Sequence, residues 1–186
     1  MSIQSEVARI LRAAPASAIN FTVDCIAVNG PRMELVAKTI EAGDIAVEIG
    51  NTGAQLGAAY SSFVGRRVAP GEKKLTGKIT IGSEAAVRSA LGKASIYHES
   101  VHALMDVVGV KVPSMQGDEA VAYLADAMYL RATSTRVSGG AQAMAIFNAA
   151  FAIVDGRQML RKAGTRLTWN ECDPLLKAIK AHPAYG

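Results

Sequence analysis

Two of the three histidines of this 186-residue chain, His98 and His102, stand four residues apart in a run that reads as helix over residues 93–108. Side chains four apart on a helix share one face, so the two imidazoles lie side by side. Ile96, Val101, Leu104, Val107 and Val108 surround them and would bury that helix. Buried imidazoles need polar partners. One metal ion satisfies both, and Glu99, next to His98, can then point toward a water on that ion. The H-E-x-x-H run His98-Glu99-Ser100-Val101-His102 thus places a metal site on a core helix.

Two imidazoles do not complete a catalytic site, which usually takes three protein ligands and keeps a position for water. Asp106 continues the histidine face four residues beyond His102. One straight helix does not readily wrap three such ligands around one ion, so Asp106 reads as a supporting or solvent-facing residue. Glu119 is the better third ligand. Sixteen residues separate it from His102, enough for a helix to end, a loop to turn and a second helix to return antiparallel. Its segment is otherwise apolar, although acids are also common at helix N-termini; Asp118 is the alternative ligand. Tyr123 and Asp126, four and seven residues on, share the Glu119 stripe. Tyr123 is the first choice for a donor to a developing oxyanion, with Tyr97, His182 and Arg131 as alternatives.

Over roughly residues 74–130 this pattern resembles the gluzincin group of zinc metallopeptidases. The resemblance implies zinc held by His98, His102 and Glu119, with Glu99 activating water. It implies a small sheet, an active-site helix and a glutamate helix in that order. It also implies that the last strand before the active helix, within residues 74–82, lies at a sheet edge and pairs with an extended peptide. An interior position for that strand would remove this expectation. The family often carries an aspartate four residues after the glutamate; that position here is Tyr123, so Asp126 is the candidate partner for a histidine. The spacing between motif and glutamate is also shorter than in the large gluzincin peptidases. The expected function is zinc-dependent hydrolysis of a peptide or protein substrate. The alternatives are a non-catalytic zincin-like binding or regulatory protein, and a helical interaction protein without metal.

Composition suits one domain over residues 1–186. Half the residues are hydrophobic, 19% are charged and 5% are aromatic, which favours close-packed helices over an aromatic-rich sandwich. The net charge of +4 is spread along the chain, unlike the clustered positive face of a nucleic-acid binder. Cys25 and Cys172 are too few for a disulfide framework and read as free thiols. Residues 1–14 lack the apolar core of a signal peptide, and no run reaches membrane-span length; the expected location is cytoplasmic. The fold expected is α+β, mostly helical, with a small antiparallel sheet in the N-terminal half. Strands are expected at 19–25, 44–50, 57–64 and 74–82, with a loop at 69–71. Helices are expected at 2–13 and 32–42, from Ser83 to a break at Gly92, and then at 93–108 and 118–132. A central apolar helix at 141–161 and a short last helix from Cys172 complete the reading.

Overall fold

The apolar stripe Ile3, Val7, Ile10 and Leu11 forms the first helix, α1 (Ile3–Arg12), which Ser2 caps by accepting a bond from the Ser5 amide. This computed structural model describes residues 2–52, 57–66 and 73–185; the loop expected at 69–71 lies outside them. The strand expected at 19–25 is a short hairpin. Asp24, in the left-handed region at φ 48°, turns the chain between β1 (Phe21–Val23) and β2 (Ile26–Val28). Asn29 then caps α2 (Gly30–Glu41) by accepting from the Arg32 amide, with Pro31 in its first turn. Pro is favoured there because its missing N–H has no helical partner to lose.

The chain is α+β, and its strands make two three-stranded mixed sheets rather than one antiparallel one. β1 sits between β2 and β6 (Thr165–Leu167), to which it runs parallel. β6 belongs to the half of the chain that reads as wholly helical. The second sheet contains β3 (Ile45–Ile49), β4 (Ala58–Ser62) and β5 (Gly77–Ile81), in the order β3-β5-β4. β5 is therefore interior, parallel to β3 and antiparallel to β4. The expected edge position for residues 74–82 is wrong, and the expectation that the chain reads an extended peptide through that strand's edge falls with it, since both sides of β5 are paired. Among the described residues β3 and β4 are the two edge strands of this sheet.

Residues 84–88 form turns instead of a helix. The helix that carries both histidines, α3 (Ala90–Val108), starts behind Ser89, whose hydroxyl accepts from the Gly92 amide. Gly92 therefore lies inside the first turn rather than breaking a helix. A Cβ there would stand 2.2 Å from the Ala86 carbonyl oxygen, so the preceding turns can pack this closely only against glycine. Gly109, at φ 66°, ends α3 in the left-handed conformation.

Ser114 caps α4 (Met115–Ala132), which begins three residues earlier than expected. Every residue from 120 to 130 is buried, so α4 is the central helix. The expected central helix, α5 (Ala141–Gly156), buries Ile146, Phe147, Ala150 and Val154 on one face only and packs on α4 and on α6 (Asp173–Lys180). Among the described residues no helix is long and apolar enough to cross a membrane. Cys172 is buried and Cys25 exposed, both as free thiols.

Candidate metal centre

One helical turn on α3 sets the two histidine rings 5.1 Å apart, centroid to centroid. α4 returns antiparallel across them and brings Glu119 in front of both. Glu119 Oε2 lies 3.4 Å from His98 Nε2, and Oε1 lies 3.8 Å from His102 Nε2. Ligand atoms of His98, His102 and Glu119 all fall within 4.8 Å of one another, a grouping able to hold a metal ion. Glu119 Oε2 is buried with no hydrogen-bond partner. A bare buried carboxylate oxygen is costly, and a cation between it and the imidazoles removes that cost. The residues present thus fit a metal.

Behind the imidazoles stand two further carboxylates. Asp118 Oδ1 is 2.9 Å from His102 Nδ1, and Asp126 Oδ2 is 3.7 Å from His98 Nδ1. Both Nε2 atoms thus face Glu119 while both Nδ1 atoms face an aspartate. Carboxylates placed behind metal-ligating histidines fix the tautomer and raise ligand basicity. Asp126 occupies the place anticipated for it. Asp118, the alternative ligand, stands behind His102 instead of in front of it. Burial lowers the His98 pKa, but Asp126 and Glu119 outweigh it and hold the pKa up at about 10 in the metal-free protein. Metal must displace that proton to bind.

Glu99 is pushed above the usual carboxylate range by burial, against the pull of His98, His102 and the Tyr60 N–H. Its Oε2 accepts that N–H from β4 at 2.8 Å. The Tyr60 hydroxyl donates to Asp106 Oδ2 at 2.8 Å, so Asp106 ties the end of α3 to the same strand. These groups open into a cleft of about 480 Å³ bordered by Ala59, Tyr60 and Ser62 of β4 and by Asp118, Glu119 and Tyr185.

Tyr123 does not line that cleft. Its ring packs edge-on against His98 at 4.8 Å, and its hydroxyl is 3.1 Å from that of Tyr185. Two tyrosines border the cleft: Tyr60, whose hydroxyl is engaged by Asp106, and Tyr185, which no sequence pattern distinguishes. The Tyr185 carbonyl accepts a bond from Gln116 Nε2 at 2.9 Å, which ties the C-terminal segment to the first turn of α4. The other donors considered lie elsewhere. Tyr97 is fully buried and donates to the Ala16 carbonyl; Arg131 pairs with Asp155; His182 packs against the Tyr185 ring.

No family model, curated protein or solved structure matches the chain. The geometry of the centre therefore carries the functional reading.

Proposed function

We propose that the protein is a zinc-dependent hydrolase, most simply a metallopeptidase. One arrangement carries the reading: Glu119 presents a bare, buried oxygen to the Nε2 atoms of His98 and His102, while Glu99 reaches the same cleft unused as a ligand. A purely structural metal site has no use for that extra carboxylate. The aspartates behind the histidines leave both Nε2 atoms for the ion, which suits the ligand set of a catalytic zinc.

Zinc held by His98, His102 and Glu119 would supply Lewis acidity to a water and to the scissile carbonyl. The chain's own groups do the rest. The Tyr60 N–H holds one oxygen of Glu99, and the other is left to take the proton of the attacking water and pass it to the leaving amine. Burial raises the affinity of Glu99 for that proton. The Tyr185 hydroxyl, at the cleft and backed by Tyr123, is the donor to the developing oxyanion. Met105, Val110 and Val112 supply an apolar flank for substrate.

Metal analysis and hydrolysis of fluorescein-labelled casein test the reading together. The protein should hold about one zinc per chain, and Glu99→Gln should keep the zinc and lose hydrolysis. Full zinc retention in a His98→Ala/His102→Ala double variant, or undiminished hydrolysis by Glu99→Gln, overturns it.

A further inference from the structure

The register of β4 on β5 decides which way each β4 amide points. Gly82 N–H bonds to the Gly57 carbonyl and Phe63 N–H bonds to the Thr76 carbonyl. Ala59 and Ser61 share that alternation, opposite Thr80 and Lys78, so their amides face β5. Ala58, Tyr60 and Ser62 turn theirs away from β5. An edge amide normally meets solvent, but that of Tyr60 donates to Glu99 Oε2 at 2.8 Å. The same residue's hydroxyl bonds Asp106, two helical turns further along the Glu99 face. Tyr60 therefore spans α3 at two points.

A third observation explains how the ring reaches Asp106. Its hydroxyl end lies against Gly77 of β5, where a Cβ would collide with the Tyr60 hydroxyl oxygen and the two ring carbons nearest it. Gly77 has no φ in the left-handed region, so backbone conformation does not demand glycine. The space does. The bare backbone at Gly77 is a slot for the tyrosine ring.

We propose that Tyr60 is the positioning residue for the general base: its amide fixes the Glu99 carboxylate, its hydroxyl clamps α3 through Asp106, and Gly77 is the slot that admits its ring. The role as base rests on the proposed hydrolase activity; the bond itself does not. An extended ligand on this edge finds the Tyr60 amide already taken.

Amide hydrogen exchange, followed residue by residue by NMR on the metal-free protein, tests the bond without any substrate. The Tyr60 amide should be protected in the native chain although it faces away from β5 and pairs with no strand among the described residues. Glu99→Ala should speed its exchange by about 10- to 100-fold, the range for a hydrogen bond to a charged group, with Ala59 and Ser61 unchanged. Gly77→Ala should do the same by displacing the ring. Fast exchange at Tyr60 in the native chain, or protection that survives Glu99→Ala, overturns the proposal; protection that survives Gly77→Ala overturns the slot. In the zinc-loaded protein acting on labelled casein, Gly77→Ala should lower kcat at least tenfold with KM and zinc content unchanged. An effect confined to KM overturns the positioning role. Tyr60→Phe leaves Gly77 untouched, so a correctly folded Tyr60→Phe protein with unaltered kcat overturns the clamp on Asp106. A native protein that binds no zinc overturns the hydrolase reading, and the exchange measurements still decide the bond.

Discussion

Replacing Glu119 with leucine should cost little stability without metal and much with it. In the metal-free protein Glu119 Oε2 is buried and bare, and an unsatisfied buried polar atom costs about 1–3 kcal/mol. Against that cost stands its attraction to His98, 3.4 Å away, whose proton it helps to hold. Leucine removes both the bare oxygen and the attraction, and the two offset. In chelator, Glu119→Leu should therefore lie within about 1–2 kcal/mol of the native protein, roughly 2–8 °C in Tm for a chain of this size. With zinc at about a thousand times its Kd, the native protein gains about 4 kcal/mol by mass action, or roughly 8–16 °C. The variant, short of one ligand, gains far less. The two Tm values should lie close in chelator and separate in zinc when followed by differential scanning calorimetry. The competing account is that Glu119 exists to neutralise a protonated His98. Breaking a buried ion pair costs about 3–5 kcal/mol. A loss of that size in chelator would refute the reasoning and make Glu119 a structural counter-ion.

Asp118→Asn and Asp126→Asn should each lower zinc affinity about 10- to 100-fold, as carboxylates behind ligating histidines do; competition with a fluorescent chelator measures this, and unchanged affinity in both would remove their assigned role. Tyr185→Phe should lower kcat by about 10²- to 10³-fold with zinc content unchanged, while Tyr123→Phe, which loses only the hydroxyl behind Tyr185, should have a smaller effect on hydrolysis of labelled casein. In chelator, stability should fall with rising pH. His98 holds its proton more tightly in the fold, with a pKa of about 10 against 6.5 for the ordinary group. Its contribution is complete below about pH 6.5 and is lost as pH climbs toward 10. Thermal melts across that window check it, and Asp126→Asn should flatten the slope.

Helical period and residue chemistry make the candidate metal ligands legible in the sequence, because His98 and His102 sit on one element and their spacing needs no tertiary information. Glu119 is legible because an acid in an apolar segment is conspicuous. The sheet is less so. Residues 77–81 alternate apolar and polar, and alternation reports which face of a strand is buried. It is silent about which neighbours bond its two edges. Lys78 reaches Glu48 on β3, and Thr80 is buried beneath Gly50; both are consequences of an interior position that the pattern alone does not carry. The apolar character of residues 141–161 misleads for a related reason: alanines at 141, 145 and 152 count as apolar yet are exposed on α5, with little surface to bury. Tyr60 and Tyr185 leave no local trace, because their partners Glu99 and Tyr123 lie 39 and 62 residues away.

The choice between Tyr123 and Asp126 behind His98 follows from helix direction. Both lie on the stripe of Glu119, at four and seven residues. α4 runs antiparallel to α3, so the histidine nearer the start of α3 meets the residue further along α4. His102 pairs with Asp118 in the first turn of α4, and His98 pairs with Asp126 two turns beyond, with Glu119 reaching both Nε2 atoms from between. The position four after the glutamate falls over the imidazole ring itself, and an aromatic side chain fits there edge-on. Tyrosine at 123 and aspartate at 126 are thus one solution. The ring packs edge-on against His98, and the carboxylate one turn on faces its Nδ1 at 3.7 Å. A Tyr123→Asp substitution would place a second carboxylate beside Asp126 and remove the ring that packs on His98.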